Sequence, residues 1–167
     1  MGCLGVLFSI SKEEADALKA IENDSDLLEY LQNEIEERYF ESEPARKVEL
    51  DKAWDAIHRS LTDGCLGNDN GSFPLNAVIL GGEALSSDDD YIMSLKTPEE
   101  VQQIAEALGK VGREQLRQAY FKIDEENYGF PVNEEDFDYT WQWFSGLKPF
   151  YNKAADEKRF VLFTADQ

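Results

Sequence analysis

His58 is the only histidine in the chain, and histidine is the side chain that titrates near neutral pH without a perturbed environment. Asp51 and Asp55 precede it by one to two turns of a predicted helix. A carboxylate beside an imidazole can fix the tautomer that general-base catalysis needs. One hypothesis is therefore a small hydrolase or transferase that uses His58 with Asp55 or with the thiol of Cys65. The alternative is a hydrogen-bonded structural histidine at the edge of an apolar helix face.

The sequence lacks the usual signatures of nucleophilic enzymes and of cofactor binding. It contains no G-x-S-x-G motif for a serine nucleophile, and its two cysteines, Cys3 and Cys65, form no C-x-x-C pair. Gly81 and Gly82 follow an apolar run, but Glu83 comes next, where a phosphate-binding loop needs Lys followed by Ser or Thr. A close backbone approach is the simpler interpretation of these glycines. We therefore expect no cofactor.

Two polar loops resemble metal sites only superficially. Aligning residues 66–77 with a calcium-binding loop places Leu66 at the first ligand position and Ala77 at the last, where such loops need acidic side chains. Residues 88–90 are three aspartates that can attract a divalent ion, although a solvated turn is the commoner role of such a run. We therefore expect no metal site.

The charge balance bears directly on the class of partner. The chain has 35 acidic residues against 16 Lys and Arg in 167 residues, a formal net charge of −19. Such a surface repels phosphate backbones and anionic lipids, and it attracts basic proteins and cations. We expect no nucleic-acid and no membrane partner. No basic segment precedes the first apolar run, so a secretory signal is not indicated and a cytoplasmic location is expected.

An aromatic helix near the C-terminus is a candidate contact surface. It is predicted to carry Phe137 and Phe144 on one face and Tyr139 and Trp143 on another, and residues 124–138 include seven acidic side chains and no basic one. Trp and Tyr often anchor interfaces. The second aromatic face therefore packs in the core, meets a basic partner, or pairs two copies of the chain.

Apolar runs near residues 3–10, 77–80 and 160–163 predict three short strands, separated by long helical patterns. The expected fold class is α+β, a helix-rich single domain over residues 1–167. About six helices are expected to surround a small mixed sheet.

Helix boundaries are predicted most clearly where capping residues occur. Ser11 and Thr97 are each followed three residues later by glutamate, which makes a capping box that satisfies free amides at a helix start. A single apolar stripe predicts one helix over residues 46–61. Pro149 is expected to kink or restart the last helix, because proline lacks the amide hydrogen.

Several short motifs, taken together, resemble the bacterial YfbM-like family. They are the opening residues 1–3, LDKAWDAIH at 50–58, LNAVILGG at 75–82, TPEEV at 97–101 and FYNKAA at 150–155. They occur in order along essentially the whole chain. The resemblance implies a bacterial, cytoplasmic α+β protein of a family whose function is unknown.

The resemblance supplies no catalytic residues to transfer to this chain. The residues that match it, chiefly Trp54, His58, Gly81 and Gly82, are therefore binding candidates without an assigned role. On charge and aromatic content we favour a non-enzymatic, immunity- or inhibitor-like protein with a basic partner. The hydrolase or transferase and a self-associating structural protein are the alternatives. A His58 that lines a cleft would favour catalysis, and a buried His58 would disfavour it.

Overall fold

A five-stranded antiparallel sheet organises the chain in the computed structural model, which describes residues 4–86 and 91–166. The strand order is β2-β1-β5-β4-β3, so the last strand in the sequence is the central one. The strands are β1 (Gly5–Ile10), β2 (Lys47–Asp51), β3 (Glu83–Ala84), β4 (Tyr91–Lys96) and β5 (Phe160–Asp166).

Helices cover both faces of this sheet. Helices α1 to α3 bury Phe8 and Leu162 on one face, and α4 to α9 bury Leu7 and Phe163 on the other. A π-helical turn, Leu31–Glu36, joins α2 to α3. The helices are α1 (Lys12–Ala20), α2 (Asp24–Tyr30), α3 (Glu37–Ser42), α4 (Trp54–Leu61), α5 (Pro98–Gly109), α6 (Arg113–Tyr120), α7 (Glu125–Tyr128), α8 (Glu134–Phe144) and α9 (Leu147–Asp156).

The predicted α+β, helix-rich class is confirmed, as are the local helix signals. Ser11 and Thr97 both form complete capping boxes at the starts of α1 and α5. The last helix is interrupted, since α8 ends at Phe144 and α9 restarts before Pro149. In the part of the chain that the structure describes, no helix is both long and apolar enough to cross a membrane.

The predicted strand at 77–80 is wrong. Leu75–Ala77 form a 3-10 helix, and the three residues that follow form a turn. The carbonyl groups of residues 78–80 accept hydrogen bonds from the side chains of Tyr151, Lys96 and Ser94 rather than from a neighbouring strand. An apolar run can therefore be buried here without joining the sheet, because distant side chains satisfy its backbone.

The sheet itself differs from the prediction in three ways. Every observed strand pair is antiparallel, so the predicted mixed sheet is wrong. Residues 46–61 are not one helix, because Lys47–Asp51 form β2 and α4 begins only at Trp54. Strand β4 had no predicted counterpart. Strand direction depends on the path of the connecting helices, which local patterns do not encode.

Candidate functional site

His58 is a buried residue of α4 with no exposed surface. Its Nε2 lies 3.0 Å from Asn70 Oδ1. The Asn70 amide nitrogen donates to Asp63 Oδ1 at 2.6 Å and to the Cys65 carbonyl at 3.0 Å, which fixes the amide orientation. Nε2 must therefore carry the hydrogen and donate it to Asn70. Burial lowers the pKa of His58, and the bond to Asn70 opposes that shift.

Asp55 does not orient the His58 ring. Its carboxylate accepts from Arg59 Nε at 2.5 Å, one turn along α4. The same guanidinium also donates to the Gly64 and Asn127 carbonyls, each at 3.4 Å. Burial raises the pKa of Asp55, and the Arg59 cation opposes that shift. The polar face of α4 therefore anchors the loop that follows it, through His58 and Arg59, and helix α7, through Arg59.

Among the described hydrogen bonds, none joins His58 to Asp55 or to the Cys65 thiol. Cys65 is exposed, whereas His58 is fully buried and bonded through Nε2 to Asn70. Nδ1 of His58 is buried without a hydrogen-bond partner within the described residues. Full burial and the hydrogen bond to Asn70 are typical of a structural histidine, and they disfavour the hydrolase or transferase hypothesis.

The residues that match the family motifs are closely packed. Trp54 is 3% exposed and packs against Phe163 in the core, with the two rings tilted and their centroids 5.5 Å apart. A Cβ added to Gly81 would lie 2.6 Å from the Asn76 carbonyl oxygen, and this explains the glycine by close backbone approach. Gly82 is exposed, and its backbone φ of +119° explains why glycine occupies this position.

The second aromatic face of α8 is half-buried. Tyr139 and Trp143 pack against the larger core and contact each other at 6.4 Å between ring centroids. The Tyr139 hydroxyl accepts a hydrogen bond from the Lys52 amide at 3.1 Å, which ties α8 to the end of β2. Tyr139 and Trp143, which were predicted as a possible interface, therefore use much of their surface in core packing.

An exposed aromatic does occur among the acids, but it is Phe130. Its exposed fraction is 56%, the largest among the exposed large hydrophobic side chains of the described residues. With Glu125 and Glu126 it lines a shallow depression of about 560 Å³ formed by α7 and the loop that follows it. We call Asp124, Glu125, Glu126, Phe130 and Glu135 the acidic surface.

The acids of this segment differ in their surroundings. Asp136 is partly buried, and it accepts from the hydroxyls of Tyr120 and Tyr128 at 2.6 and 2.9 Å. Burial, reinforced by that carboxylate, raises the pKa of Tyr128, so its hydroxyl remains a donor. Glu126 and Glu135, by contrast, are exposed and have no ion-pair partner within residues 4–86 and 91–166.

The neighbours of Phe130 in the sequence indicate that it is exposed, although hydrophobic periodicity does not. Gly129 and Pro131 flank it, and Gly129 adopts a φ of +84° at the end of α7. Glycine and proline stop helices, so an aromatic between them cannot join a buried helical stripe. The acids on both sides keep the loop in water.

Metal binding has no support from the arrangement of acidic side chains. Within residues 4–86 and 91–166, no group of three or more His, Cys, Asp or Glu side chains is placed to hold a metal ion. The aspartates at 88–90 and Cys3 lie outside the described residues.

The described fold is that of an α+β protein whose antiparallel sheet is covered by helices on both faces. The chain belongs to the family described as "Domain of unknown function (DUF1877)", which matches residues 1–164. It is also similar to YfbM from Escherichia coli, a protein of unknown function, with a TM-score of 0.62 and 21% identity over 97% of this chain and 99% of that one. Among curated proteins, none matches the chain. The predicted resemblance is confirmed, and at this identity the solved structure establishes the fold alone.

Proposed function

We propose that this is a non-catalytic binding protein of the immunity or inhibitor kind, and that its acidic surface meets a basic protein. The observation that carries the proposal is the position of Phe130, exposed beside Glu125 and Glu126 in a segment without basic residues. An aromatic side chain supplies contact area, and the surrounding carboxylates select a cationic partner and speed its approach.

The local charge supports a basic partner. Residues 124–138 contribute seven negative charges. Two of these acids, Glu134 and Asp138, pair with Arg117 and Arg113 of α6. The remaining acids include Glu126 and Glu135, which have no such partner among the described residues. A Lys or Arg side chain from another protein would therefore find carboxylates that no internal cation neutralises.

Removing two of these carboxylates is expected to reduce capture of a basic partner. The immobilised full chain is compared with a Glu126→Gln, Glu135→Gln double variant in capture from a bacterial lysate, at about 50 mM and about 300 mM salt. We expect a basic protein to be retained at low salt and released at high salt, because screening weakens exposed charge pairs. The double variant should retain several-fold less of it.

A charge-matched control separates this surface from the net charge. Glu29→Gln with Glu37→Gln removes two exposed acids from α2 and α3, in the helical layer on the opposite face of the sheet. This control should capture the partner as the native chain does. Equal losses in both double variants, or capture that is indifferent to salt, would contradict the proposal.

A further inference from the structure

A polar cleft with three arginines lies in the helical layer opposite the acidic surface. Its volume is about 310 Å³, and Arg38, Arg46 and Arg159 all line it. These are three of only 16 Lys and Arg residues in a chain of net charge −19. Three guanidinium groups in one cleft are unexpected in so acidic a chain, and the contacts around them indicate a reason.

The floor of the cleft is a buried hydrogen-bond network. Glu14 is 8% exposed and accepts from the Tyr39 hydroxyl at 2.6 Å, from the Ser11 amide at 2.9 Å and from Arg38. Arg159 donates to the Tyr39 oxygen at 2.9 Å. The orientation of these side chains is therefore set before any ligand arrives, and less conformational entropy is lost on binding.

Several donors around this network are available to a ligand. The Arg38 side chain is half exposed, and among the described residues only its Nη2 has a hydrogen-bond acceptor. Ser42 lines the cleft, and its hydroxyl has no partner within the described residues. Arg46 donates to Glu43 through Nη1 at 2.7 Å, but its Nε and Nη2 reach Glu157 only at 3.3 and 3.4 Å, which is long for a charge-assisted hydrogen bond, whose usual length is about 2.8 Å.

We infer that this cleft binds a small phosphate monoester. A phosphate group presents three terminal oxygens, and the planar fork of an arginine matches two of them at once. Donors from Arg38, Arg46 and Ser42 surround the cleft, whereas a carboxylate has two oxygens and needs fewer donors. The volume lies at the small end of the range for small-molecule sites, roughly 300 to 1,000 Å³.

The net charge of the chain does not prevent such binding. Exposed charges more than about 8 Å apart are largely screened at physiological salt. The acids of other surfaces therefore contribute little inside the cleft, where the three guanidinium groups of Arg38, Arg46 and Arg159 outnumber the two carboxylates of Glu14 and Glu43.

The test is a titration of the full chain with inorganic phosphate, which carries the same oxygens, at about 0.15 M salt. Binding is followed by calorimetry and by the side-chain Nε–H NMR signals of the arginines. Saturable binding is expected, with about tenfold weaker affinity in Arg38→Gln, because a charge-assisted contact is lost. The control is Arg113→Gln, which removes one exposed arginine of the opposite layer and should leave the affinity unchanged.

A second variant is expected to bind phosphate more tightly, a result that loss of folding could not produce. Glu43 accepts from Arg46 Nη1 at 2.7 Å and competes with an incoming anion for that donor. Glu43→Gln should therefore tighten phosphate binding several-fold. No saturable binding, or equal affinities in Arg38→Gln, Glu43→Gln and the native chain, would overturn the inference. Acetate binding as tightly as phosphate would overturn the assignment to phosphate.

Discussion

Replacement of Lys96 by methionine is expected to lower the slope of the free energy of unfolding against pH by up to about 1.4 kcal/mol per unit between about pH 8 and pH 9. Lys96 has no exposed surface. Its Nζ lies 3.1 Å from Ser94 Oγ and also donates to the Ile79 carbonyl. Burial holds the pKa of Lys96 well below its ordinary value of 10.5, and the Glu100 carboxylate opposes that shift.

The direction of the effect follows from the two protonation states. Above its lowered pKa, Lys96 is neutral in the folded chain, while the same side chain in the unfolded chain stays protonated up to its ordinary pKa of 10.5. Between these two values the unfolded state binds one more proton at this site, so Lys96 contributes a rise in the free energy of unfolding of about 1.4 kcal/mol per pH unit. That stability is present above the unfolded pKa of 10.5 and is lost as the pH falls through the folded pKa of Lys96.

Urea denaturation at about pH 8, 8.5 and 9, below the range in which tyrosines titrate in the unfolded chain, measures this slope for the native chain and for Lys96→Met. Methionine keeps the length of the side chain but binds no proton. Lys110→Met is the control, because Lys110 is an exposed lysine of the same type, and it should leave the slope unchanged. The same slope in Lys96→Met as in the native chain would show that folding does not neutralise this lysine.

Gly82→Ala is expected to destabilise the protein by about 3 kcal/mol, because two costs combine at this position. The backbone φ of +119° disfavours any residue with a Cβ, and that Cβ would lie 2.5 Å from the Leu95 carbonyl oxygen. Gly82 directly follows the turn whose Leu80 and Gly81 carbonyls accept from Ser94 Oγ. A displaced Gly82 would therefore disturb the same buried network that contains Lys96.

Gly109→Ala provides the matched control for this substitution. An added Cβ at Gly109, the last residue of α5, meets nothing within 4 Å. Alanine there should leave stability unchanged or raise it by up to about 1 kcal/mol. Chemical denaturation of both variants at one pH compares them directly. A loss in Gly82→Ala no larger than that in Gly109→Ala would refute the structural role of Gly82.

These contacts explain which parts of the fold the sequence could predict. Capping boxes at Ser11 and Thr97 involve residues three apart, so their chemistry can be recognised locally. Burial of the turn at 78–80 depends on Lys96 and Tyr151, the latter 73 residues from its acceptor. Such partners cannot be inferred from an apolar run, and the run was therefore predicted as a strand.

The candidate site, like the fold, was predictable from the sequence only in its local features. The acidic character of residues 124–138 follows from composition, and the proposal of a basic partner rests on that charge. The aromatic residue that reaches solvent does not follow from composition, because Tyr139 and Trp143 pack on the core while Phe130 projects from a loop. The role of His58 also depended on a non-helical neighbour, Asn70, whose amide orientation only the folded loop defines.

The central claim, that the acidic surface around Phe130 binds a basic protein, is tested most directly by two phenylalanine variants. Phe130 and Phe73 are both exposed, at 56% and 45%, and they lie on different clefts. Calorimetry measures the affinity of the captured basic partner for each variant at about 50 mM salt. We expect Phe130→Ala to weaken binding at least tenfold, the loss typical of a residue at the centre of an interface, and Phe73→Ala to leave it unchanged. Equal affinities in the two variants, or a larger loss in Phe73→Ala, would contradict the claim.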